Sequence, residues 1–256
     1  MLRRLFSSLA PAPVRETPIG SIPPGQRVYA VGDIHGRLDL LDDLLDRIER
    51  DDATRAPLDT TLIFLGDLID RGPDSAQVVE RLRQLSAAVP AIRFLLGNHE
   101  EVFLKAMADE KGALPFFIRI GGKPTALSYG ITEAEYRACD YPALLALLRA
   151  RVPQEHLDFL SRFEDLIVIG DYAFVHAGVD PTRPLDQQRI GSLRWIREEF
   201  LSHRGVLEKI IVHGHTVTEG VEERGHRIGI DTGAYASGRL TAIGLEGNSR
   251  WFLQTQ

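Results

Sequence analysis

Oxygen and imidazole donors follow five short apolar runs along this chain. They lie in the segments GDIHG (32–36), GDLIDRG (66–72), GNHE (97–100), VHAG (175–178) and VHGHT (212–216). Each segment alone is weak evidence, because an Asp or His after a strand is commonly a capping or turn residue. Together they offer Asp, His and Asn side chains, and this mixture of imidazole and carboxylate suits Mn, Fe or Zn. The five segments therefore predict a centre for divalent cations.

The elements between these segments predict how the donors converge. Three apolar runs that end at Gly-Asp or Gly-Asn predict buried strands: RVYAV (27–31), TLIFL (61–65) and AIRFLL (91–96). Helices are expected over 38–50, over 74–88 with Asp74 as N-cap, and from Glu100 onward. Alternating strands and helices form a parallel sheet whose functional groups gather at the carboxyl ends of the strands.

The later part of the chain predicts an insert and a second sheet. Residues 101–165 are expected to form a mostly helical insert, interrupted by GGKPTALSYG (121–130), that shapes one side of a cleft. Closely spaced strand patterns from DLIVIG to SRWFLQ then predict a second sheet, mixed or antiparallel. Prolines and glycines leave 1–25 as a flexible tail, whose start resembles a secretory leader only superficially. Residues 26–256 are expected to form a single domain.

Composition narrows the classes of function. The 256 residues carry 30 basic and 36 acidic side chains, a net charge of −6, with 44% hydrophobic residues. A net negative charge does not favour binding to nucleic acid or to an anionic membrane. No run approaches the ~18 consecutive apolar residues of a membrane span. We therefore expect an α/β enzyme whose partners exclude nucleic acid and membrane. The sequence carries no sign of an oligomeric state.

The single cysteine, Cys139, excludes two other chemistries and indicates a compartment. It can form neither an internal disulfide nor a cysteine-rich zinc site, so a reducing, cytoplasmic location fits best. A cysteine phosphatase would need an Arg six positions after its nucleophile, where this chain has Leu145. The segment GGKPT lacks the Gly-Lys-Ser/Thr ending of a phosphate-binding P-loop.

In this order and with these neighbours, the five segments resemble those of the calcineurin-like metallophosphoesterases. The resemblance is strongest to the phosphoprotein phosphatase branch that includes the bacteriophage lambda phosphatase, and it covers roughly residues 27–245. It implies a four-layer αββα sandwich of two mixed sheets flanked by helices. It also implies two cation sites that share Asp67. Asp33 and His35 would complete the first site, and the second would be completed by Asn98, His176 and His215.

The same resemblance implies roles for the residues that face phosphate. His99 would be the general acid, steered by Asp70, while Arg71 would grip the phosphoryl group. A second phosphate-binding Arg is expected in LRWIREEF (193–200), where Arg197 is favoured over Arg194. An imidazole beside cations tends to lose its proton, so a carboxylate partner would keep His99 protonated and oriented.

Departures from the wider superfamily refine this interpretation. Many phosphodiesterases add a His two residues after His215, where this chain has Val217, which favours a phosphatase. His213 is expected to be a core imidazole rather than a ligand, and Asp231 to organise a loop behind the site. For Tyr235, the sequence leaves two roles open: contact with the cleft or a role in packing. Surface positions are expected for His156, His203, His226, Glu198 and Glu199.

Three functions remain as hypotheses. The favoured one is a phosphomonoesterase, a serine/threonine protein phosphatase in which a hydroxide held between two cations ~3.5 to 4 Å apart, Mn being the first choice, attacks phosphorus directly. The alternative is a small-molecule phosphohydrolase such as a diadenosine tetraphosphatase. A non-catalytic scaffold is the third, and the presence of His99, Asp70 and Arg71 argues against it.

Overall fold

The structure, a computed structural model, describes residues 20–256. The strands are β1 Gln26–Val31, β2 Asp59–Phe64, β3 Ile92–Phe94, β4 Ile167–Ile169, β5 Tyr172–Phe174, β6 Ile210–His213, β7 Glu222–Arg224, β8 Arg227–Gly229, β9 Thr241–Glu246 and β10 Ser249–Gln254. The α-helices are α1 Leu38–Ala53, α2 Ser75–Ala88, α3 Asn98–Met107, α4 Ala113–Phe117, α5 Lys123–Ser128, α6 Glu133–Ala138, α7 Tyr141–Arg151, α8 Gln154–Leu160, α9 Ile190–Trp195, α10 Glu198–Leu201 and α11 Ala234–Ser237.

The first sheet has the strand order β10–β9–β1–β2–β3. Strands β1, β2 and β3 pair in parallel, as their apolar runs predict, whereas β9 pairs antiparallel with both β1 and β10. The expectation that RLTAIGLEG and SRWFLQ belong to the second sheet was wrong. The alternation of apolar and polar residues along a strand predicts which of its faces is buried, but it does not predict which sheet edge the strand joins. In this structure β9 pairs with the edge of β1 that β2 leaves free.

The second sheet is mixed, with the order β4–β5–β6–β8–β7. Its three central strands β5, β6 and β8 run parallel, and the outer strands β4 and β7 are antiparallel to their neighbours. The charged strand β7 lacks an apolar pattern, so nothing in the sequence indicated it. It lies at the sheet edge, where charged side chains are tolerated.

Alternation along β1 shows how the layers pack. Val28 and Ala30 enter a core between the sheets that also holds Phe174 and Val212 of the second sheet. Tyr29 and Val31 point to the other face and pack in the cluster that contains α1, α2 and α3. A third cluster joins the outer face of the second sheet to α9 and α10. The result is the helix–sheet–sheet–helix sandwich that the sequence predicts.

The segment 121–130 is not an interruption of the helical insert. A turn of π-helix over Ile118–Gly122 leads directly into α5, which has Pro124 in its first turn. The helical path bends at a kink at Gly121, whose φ of 125° is open to glycine, and ends in a turn at Tyr129 and Gly130. The sequence signal of glycine and proline was real, but it marks a bend and a helix start.

The last part of the expected tail is packed rather than free. Ile22 is buried in the core between the sheets, and its N–H donates to the carbonyl of Gly247 at 2.9 Å. Residues 1–19 of that tail lie outside the described residues. Among the described residues, no helix combines the length and apolarity needed to span a membrane.

Candidate metal centre and phosphate site

The predicted donors meet because each follows the carboxyl end of a strand. Asp33 and His35 follow β1, Asp67 follows β2, Asn98 and His99 begin α3 after β3, His176 follows β5, and His215 follows β6. The first sheet thus supplies five of these side chains and the second sheet supplies two. All seven are buried, so the donors lie at the edge that the two sheets share.

The backbone that presents them is strained. Six non-glycine residues of the described chain have positive φ, and five of these belong to the predicted site: His35, Asp67, Asp70, Arg71 and His215. This left-handed conformation costs about 1 kcal/mol or more for a residue with a Cβ atom. Strain concentrated here indicates that the loops are shaped to aim side chains rather than to gain stability.

Four donor atoms converge in one half of the site. The Oδ1 of Asn98 lies 2.9 Å from Nε2 of His176 and 2.7 Å from Nδ1 of His215. Nε2 of His176 is in turn 3.4 Å from Oδ1 of Asp67. Ligands at ~2.1 Å from one ion in tetrahedral geometry are themselves ~3.4 Å apart. The separation from Asp67 matches this value, and the two shorter ones are hydrogen-bond distances, so the four atoms would hold a shared cation after moving slightly apart.

The hydrogen bonds of the imidazoles support this fit. Nδ1 of His176 lies 2.8 Å from the carbonyl of Leu65, and Nδ1 of His35 lies 2.8 Å from the carbonyl of Ile69. Each carbonyl holds the ring proton on Nδ1 and directs the Nε2 lone pair toward the site, the usual arrangement behind a metal-binding imidazole. Nε2 of His215 is buried without a hydrogen-bond partner.

Asp67 joins the two halves of the site. Its carboxylate forms one group of potential ligands with His176 and His215, and a second group with His35 and His99, with the ligand atoms in each group within 4.8 Å of one another. Burial alone would raise the pKa of Asp67, but the surrounding imidazoles hold that pKa well below its usual value. An ionised carboxylate shared by two groups is what a bridging ligand requires.

Asp33 lies next to His215 but is outside both groups of ligand atoms. Both of its carboxylate oxygens accept the backbone N–H of His215, at 3.1 and 3.0 Å. Burial, and then repulsion by Asp231 and Asp67, raise the pKa of Asp33 well above its usual value. Three buried carboxylates that repel one another form a pocket of negative charge, and a bound cation would relieve that repulsion.

The imidazoles of the site differ in their affinity for protons. Burial lowers the pKa of His35 to about 3 and that of His215 to about 2, so both rings are neutral and offer a lone pair. Burial would lower the pKa of His99 too, but the charge of Asp67 and the hydrogen bond to Asp70 raise it. Burial would lower the pKa of His176 as well, but the charge of Asp67 raises it. What sets His99 apart is its contact with the Asp70 carboxylate at 2.6 Å, which suits it to carry a proton.

His99, Asp70 and Arg71 form one connected group. Nδ1 of His99 lies 2.6 Å from Oδ2 of Asp70, and its Nε2 accepts from the Arg71 guanidinium at 3.0 Å. The same guanidinium donates to Nε2 of His35 at 2.9 Å, and it lies over the ring of Tyr235 at 4.8 Å. Tyr235 therefore reaches the cleft, one of the two roles left open by the sequence.

The two candidate arginines of α9 and α10 have different surroundings. Arg194 is 14% exposed, donates to Asp165 at 2.6 Å and lies 3.6 Å from Glu101. Arg197 is exposed, donates to Thr216 at 3.2 Å, and its charge contributes to lowering the pKa of His215. Arg194 therefore forms ion pairs that stabilise the fold, whereas the guanidinium of Arg197 lies beside the donor cluster.

Sequence reasoning missed Glu100 as a functional support. This buried carboxylate accepts the backbone N–H groups of Asp67, Leu68, Ile69 and Gly97 at 2.8 to 3.2 Å. It therefore pins the loop after β2 to the start of α3. Its position three residues after the helix N-cap is the capping-box position, which was the available signal.

Of the three histidines that were expected at the surface, two are buried, and the prediction for them was wrong. His156 is buried, with Nδ1 3.0 Å from the Tyr129 hydroxyl and Nε2 3.1 Å from Glu80. His226 is also buried, while His203 is half-buried. Their charged sequence neighbours suggested solvent, but neighbours along a chain do not report what packs across it.

The remaining residues lie as follows. His213 is buried, with Nδ1 3.0 Å from the carbonyl of Gly214, and is outside both ligand groups. Asp231 accepts the N–H of Gly233 through Oδ1, while its buried Oδ2 has no partner. Exposed positions are taken by Val217, Glu198 and Glu199.

Known proteins share this architecture. Residues 26–240 match the family described as calcineurin-like phosphoesterase. The chain is 28% identical over 231 residues to "Serine/threonine-protein phosphatase 2" of Escherichia coli K12, covering 84% of this chain and 91% of that protein. It is 27% identical over 195 residues to the symmetrical bis(5'-nucleosyl)-tetraphosphatase of Methylococcus capsulatus, covering 73% of this chain but only 51% of that protein. A crystal structure described as "a putative diadenosine tetraphosphatase" is similar with a TM-score of 0.64 and 25% identity, covering 93% of this chain and 99% of that one.

Proposed function

Because the chain belongs to the calcineurin-like phosphoesterase family, we propose that it hydrolyses phosphate monoesters with two divalent cations, Mn being the first choice. The observation that supports this proposal most strongly is that the buried donor cluster, the pair His99 and Asp70, and the arginines Arg71 and Arg197 lie together where the strands end. Phosphoserine and phosphothreonine in proteins are the proposed substrates, in a cytoplasmic setting.

The donors divide between two cation positions. Asp33, His35 and Asp67 would hold the first cation, and Asp67 with Asn98, His176 and His215 would hold the second. When bound, the cations supply an activated water and neutralise phosphoryl oxygens. The donors are O and N atoms, which suit Mn, Fe and Zn alike. The donor atoms do not distinguish these metals, and we propose Mn as the first one to test.

Arg71 is placed to recognise the phosphoryl group. Its guanidinium donates to the ring nitrogens of His35 and His99 at 2.9 and 3.0 Å. Phosphoryl oxygens are stronger acceptors than neutral imidazole, so substrate would draw the guanidinium away from both rings. Arg197, which donates to Thr216 and whose charge acts on His215, would bind the phosphoryl group as a second guanidinium. Two guanidinium groups would then fix the orientation of phosphorus.

This exchange also prepares His99 to act as the acid. While Arg71 donates to Nε2, that nitrogen must keep its lone pair, and the ring proton stays on Nδ1 toward Asp70. Once Arg71 turns to the phosphoryl group, Nε2 is free to hold a second proton, which the Asp70 carboxylate stabilises. That proton then passes to the ester oxygen as the P–O bond breaks, so the alcohol leaves neutral.

A dinucleoside tetraphosphatase is the second candidate, since relatives of both kinds exist. The protein phosphatase of Escherichia coli aligns over nearly its whole length, which favours a protein substrate. The crystal structure named for diadenosine tetraphosphate is covered over 99% of its length, which favours the nucleotide. We place the protein phosphatase first because the tetraphosphatase of Methylococcus capsulatus is matched over only about half its length.

A side-by-side substrate panel with Mn tests both candidates. The panel contains a phosphoserine peptide, a phosphothreonine peptide, diadenosine tetraphosphate, an aryl phosphomonoester and an aryl phosphodiester. We expect the highest kcat/KM on the phosphopeptides and little turnover of the diester. A preference for diadenosine tetraphosphate would replace the first candidate by the second. No turnover of any compound by cation-loaded protein would reject both.

A further inference from the structure

The insert helix α5 reaches the acid pair directly. Its Thr125 is fully buried, and its hydroxyl donates to Oδ1 of Asp70 at 2.6 Å. The same hydroxyl oxygen accepts the backbone N–H of Asp70 at 3.0 Å. Because the other carboxylate oxygen, Oδ2, faces His99 at 2.6 Å, both oxygens of Asp70 are held. Thr125 therefore fixes the carboxylate that orients the ring.

The insert also holds the residue that follows Asp70. The backbone N–H of Arg71 donates to the carbonyl of Gly121 at 3.1 Å, at the kink between the π-helix turn and α5. A Cβ atom at Gly121 would lie 2.9 Å from Cγ of Arg71. Asp70 and Arg71 both have positive φ, so this strained pair has few conformations open to it once the insert is packed against it.

The helix itself is docked by a second, separate contact. Oγ of Ser128 accepts the backbone N–H of Ala76 at 3.0 Å, in the first turn of α2. Ser75, next to it, lies 2.9 Å from the hydroxyl of Thr125. Ser128 and Thr125 thus stand on the same helix, one docking it to the scaffold and one contacting Asp70.

We propose that Thr125 is a positioning residue for the acid step, acting through Asp70 on His99. This inference rests on the proposed function, because it requires His99 to protonate the leaving oxygen. Loss of the hydroxyl frees one side of the Asp70 carboxylate, and the ring of His99 then loses its fixed direction toward the ester oxygen. The effect of losing the Thr125 hydroxyl is largest for a substrate with a poor leaving group, because the oxygen of that group must be protonated as the P–O bond breaks.

The test compares Thr125→Val, Thr125→Ala and Thr125→Ser on two aryl phosphates, with Mn-loaded enzyme. Phenyl phosphate has a poor leaving group and needs the acid, whereas 2,4-dinitrophenyl phosphate has a good one and does not. For the Val and Ala variants we expect kcat on phenyl phosphate to fall ~10- to 100-fold, part of the ~10²- to 10⁴-fold that an acid supplies. On the dinitrophenyl ester we expect less than ~3-fold change, and the Ser variant should behave as wild type.

Two controls separate the possible failures. Ser128→Ala removes the hydrogen bond to Ala76 but keeps the Thr125 hydroxyl on Asp70, so it should leave the ratio of the two rates as in wild type. His99→Asn should show the strongest leaving-group selectivity; if it shows none, the acid role of His99 fails and the positioning role of Thr125 with it. The proposed hydrolysis would fail only if the cation-loaded wild type turned over neither ester. If His99→Asn is selective but the Thr125 variants slow both esters equally, only the positioning role of Thr125 is overturned.

A spectroscopic measurement tests the same inference without activity. In the Zn-loaded protein, which is diamagnetic, the Nδ1 proton of His99 bonded to Asp70 should give a far-downfield NMR signal, and the loss of this signal in His99→Asn would assign it. Thr125→Ser should retain this signal, and Thr125→Ala should shift it upfield or broaden it. An unchanged signal in a folded Thr125→Ala protein would contradict the proposal without any activity being measured.

Discussion

Arg194 and Arg197 lie three residues apart, and their replacement by Ala should produce opposite defects. Arg194→Ala removes the 2.6 Å bond to Asp165 from a side chain that is 14% exposed, opposite a carboxylate that is 25% exposed. A hydrogen bond between charged groups contributes about 1.5 to 3 kcal/mol, and partial exposure places this one near the lower end. We expect a loss of about 2 kcal/mol in the free energy of unfolding.

Arg197→Ala should leave stability nearly unchanged, since exposed substitutions usually stay within about 0.5 kcal/mol. If Arg197 binds the phosphoryl group, the loss appears in kcat/KM instead. One charge-assisted bond of about 1.5 to 3 kcal/mol corresponds to a reduction of about 10- to 150-fold. Inhibition by inorganic phosphate should weaken in parallel.

Urea unfolding followed by circular dichroism measures the first effect, and the hydrolysis of an aryl phosphate measures the second. A loss of 2 kcal/mol corresponds to a drop in Tm of about 4 to 8 °C for a chain of this size. The assignment would be refuted if Arg194→Ala lost phosphate inhibition while keeping its stability, or if Arg197→Ala hydrolysed the ester as fast as wild type.

Three further outcomes are expected. Removing cations with a chelator, or making Asp67→Asn, should abolish aryl phosphate hydrolysis, and calorimetry on Asp67→Asn should detect loss of Mn binding. Gly97→Ala places a Cβ 2.3 Å from the backbone nitrogen and from Oδ1 of Asp67, so it should cost about 2 to 4 kcal/mol of stability; Gly191→Ala, which meets open space, should not. Burial lowers the pKa of His213 to about 4, against an ordinary 6.5, so the unfolded chain binds a proton that the folded chain does not. Stability is therefore lost below pH 6.5, by about 2 kcal/mol at pH 5, and urea titrations should show a smaller loss in His213→Asn.

The sequence correctly placed the candidate donors at the ends of strands because each signal is local. An apolar run followed by Gly-Asp identifies both the end of a strand and a carboxylate at that end, so Asp33 and Asp67 needed no information about packing. The parallel arrangement of β1, β2 and β3 then follows from the helices between them. These features depend on a few consecutive residues.

Features that depend on contacts between distant segments were missed. Thr125 meets Asp70 across 55 residues of sequence, and no pattern near Thr125 indicates a carboxylate. The burial of His156 depends in the same way on Tyr129, which follows α5, and on Glu80 of α2. The sheet that β9 joins is likewise decided by which edge is free when it forms.

The last two strands return to the first sheet after the second sheet has been made. Arg27 of β1 is paired with Glu246 of β9, 219 residues later. The first sheet therefore draws its strands from both ends of the chain and cannot be complete until β9 and β10 are present, whereas all strands of the second sheet lie within residues 167–229. During synthesis, a growing chain would stay incomplete until nearly its last residues had emerged, and assembly through such distant pairings is slow. Two fragments cut in the middle of the chain would be expected to regain cation binding only when mixed, which makes this fold a natural candidate for a split reporter.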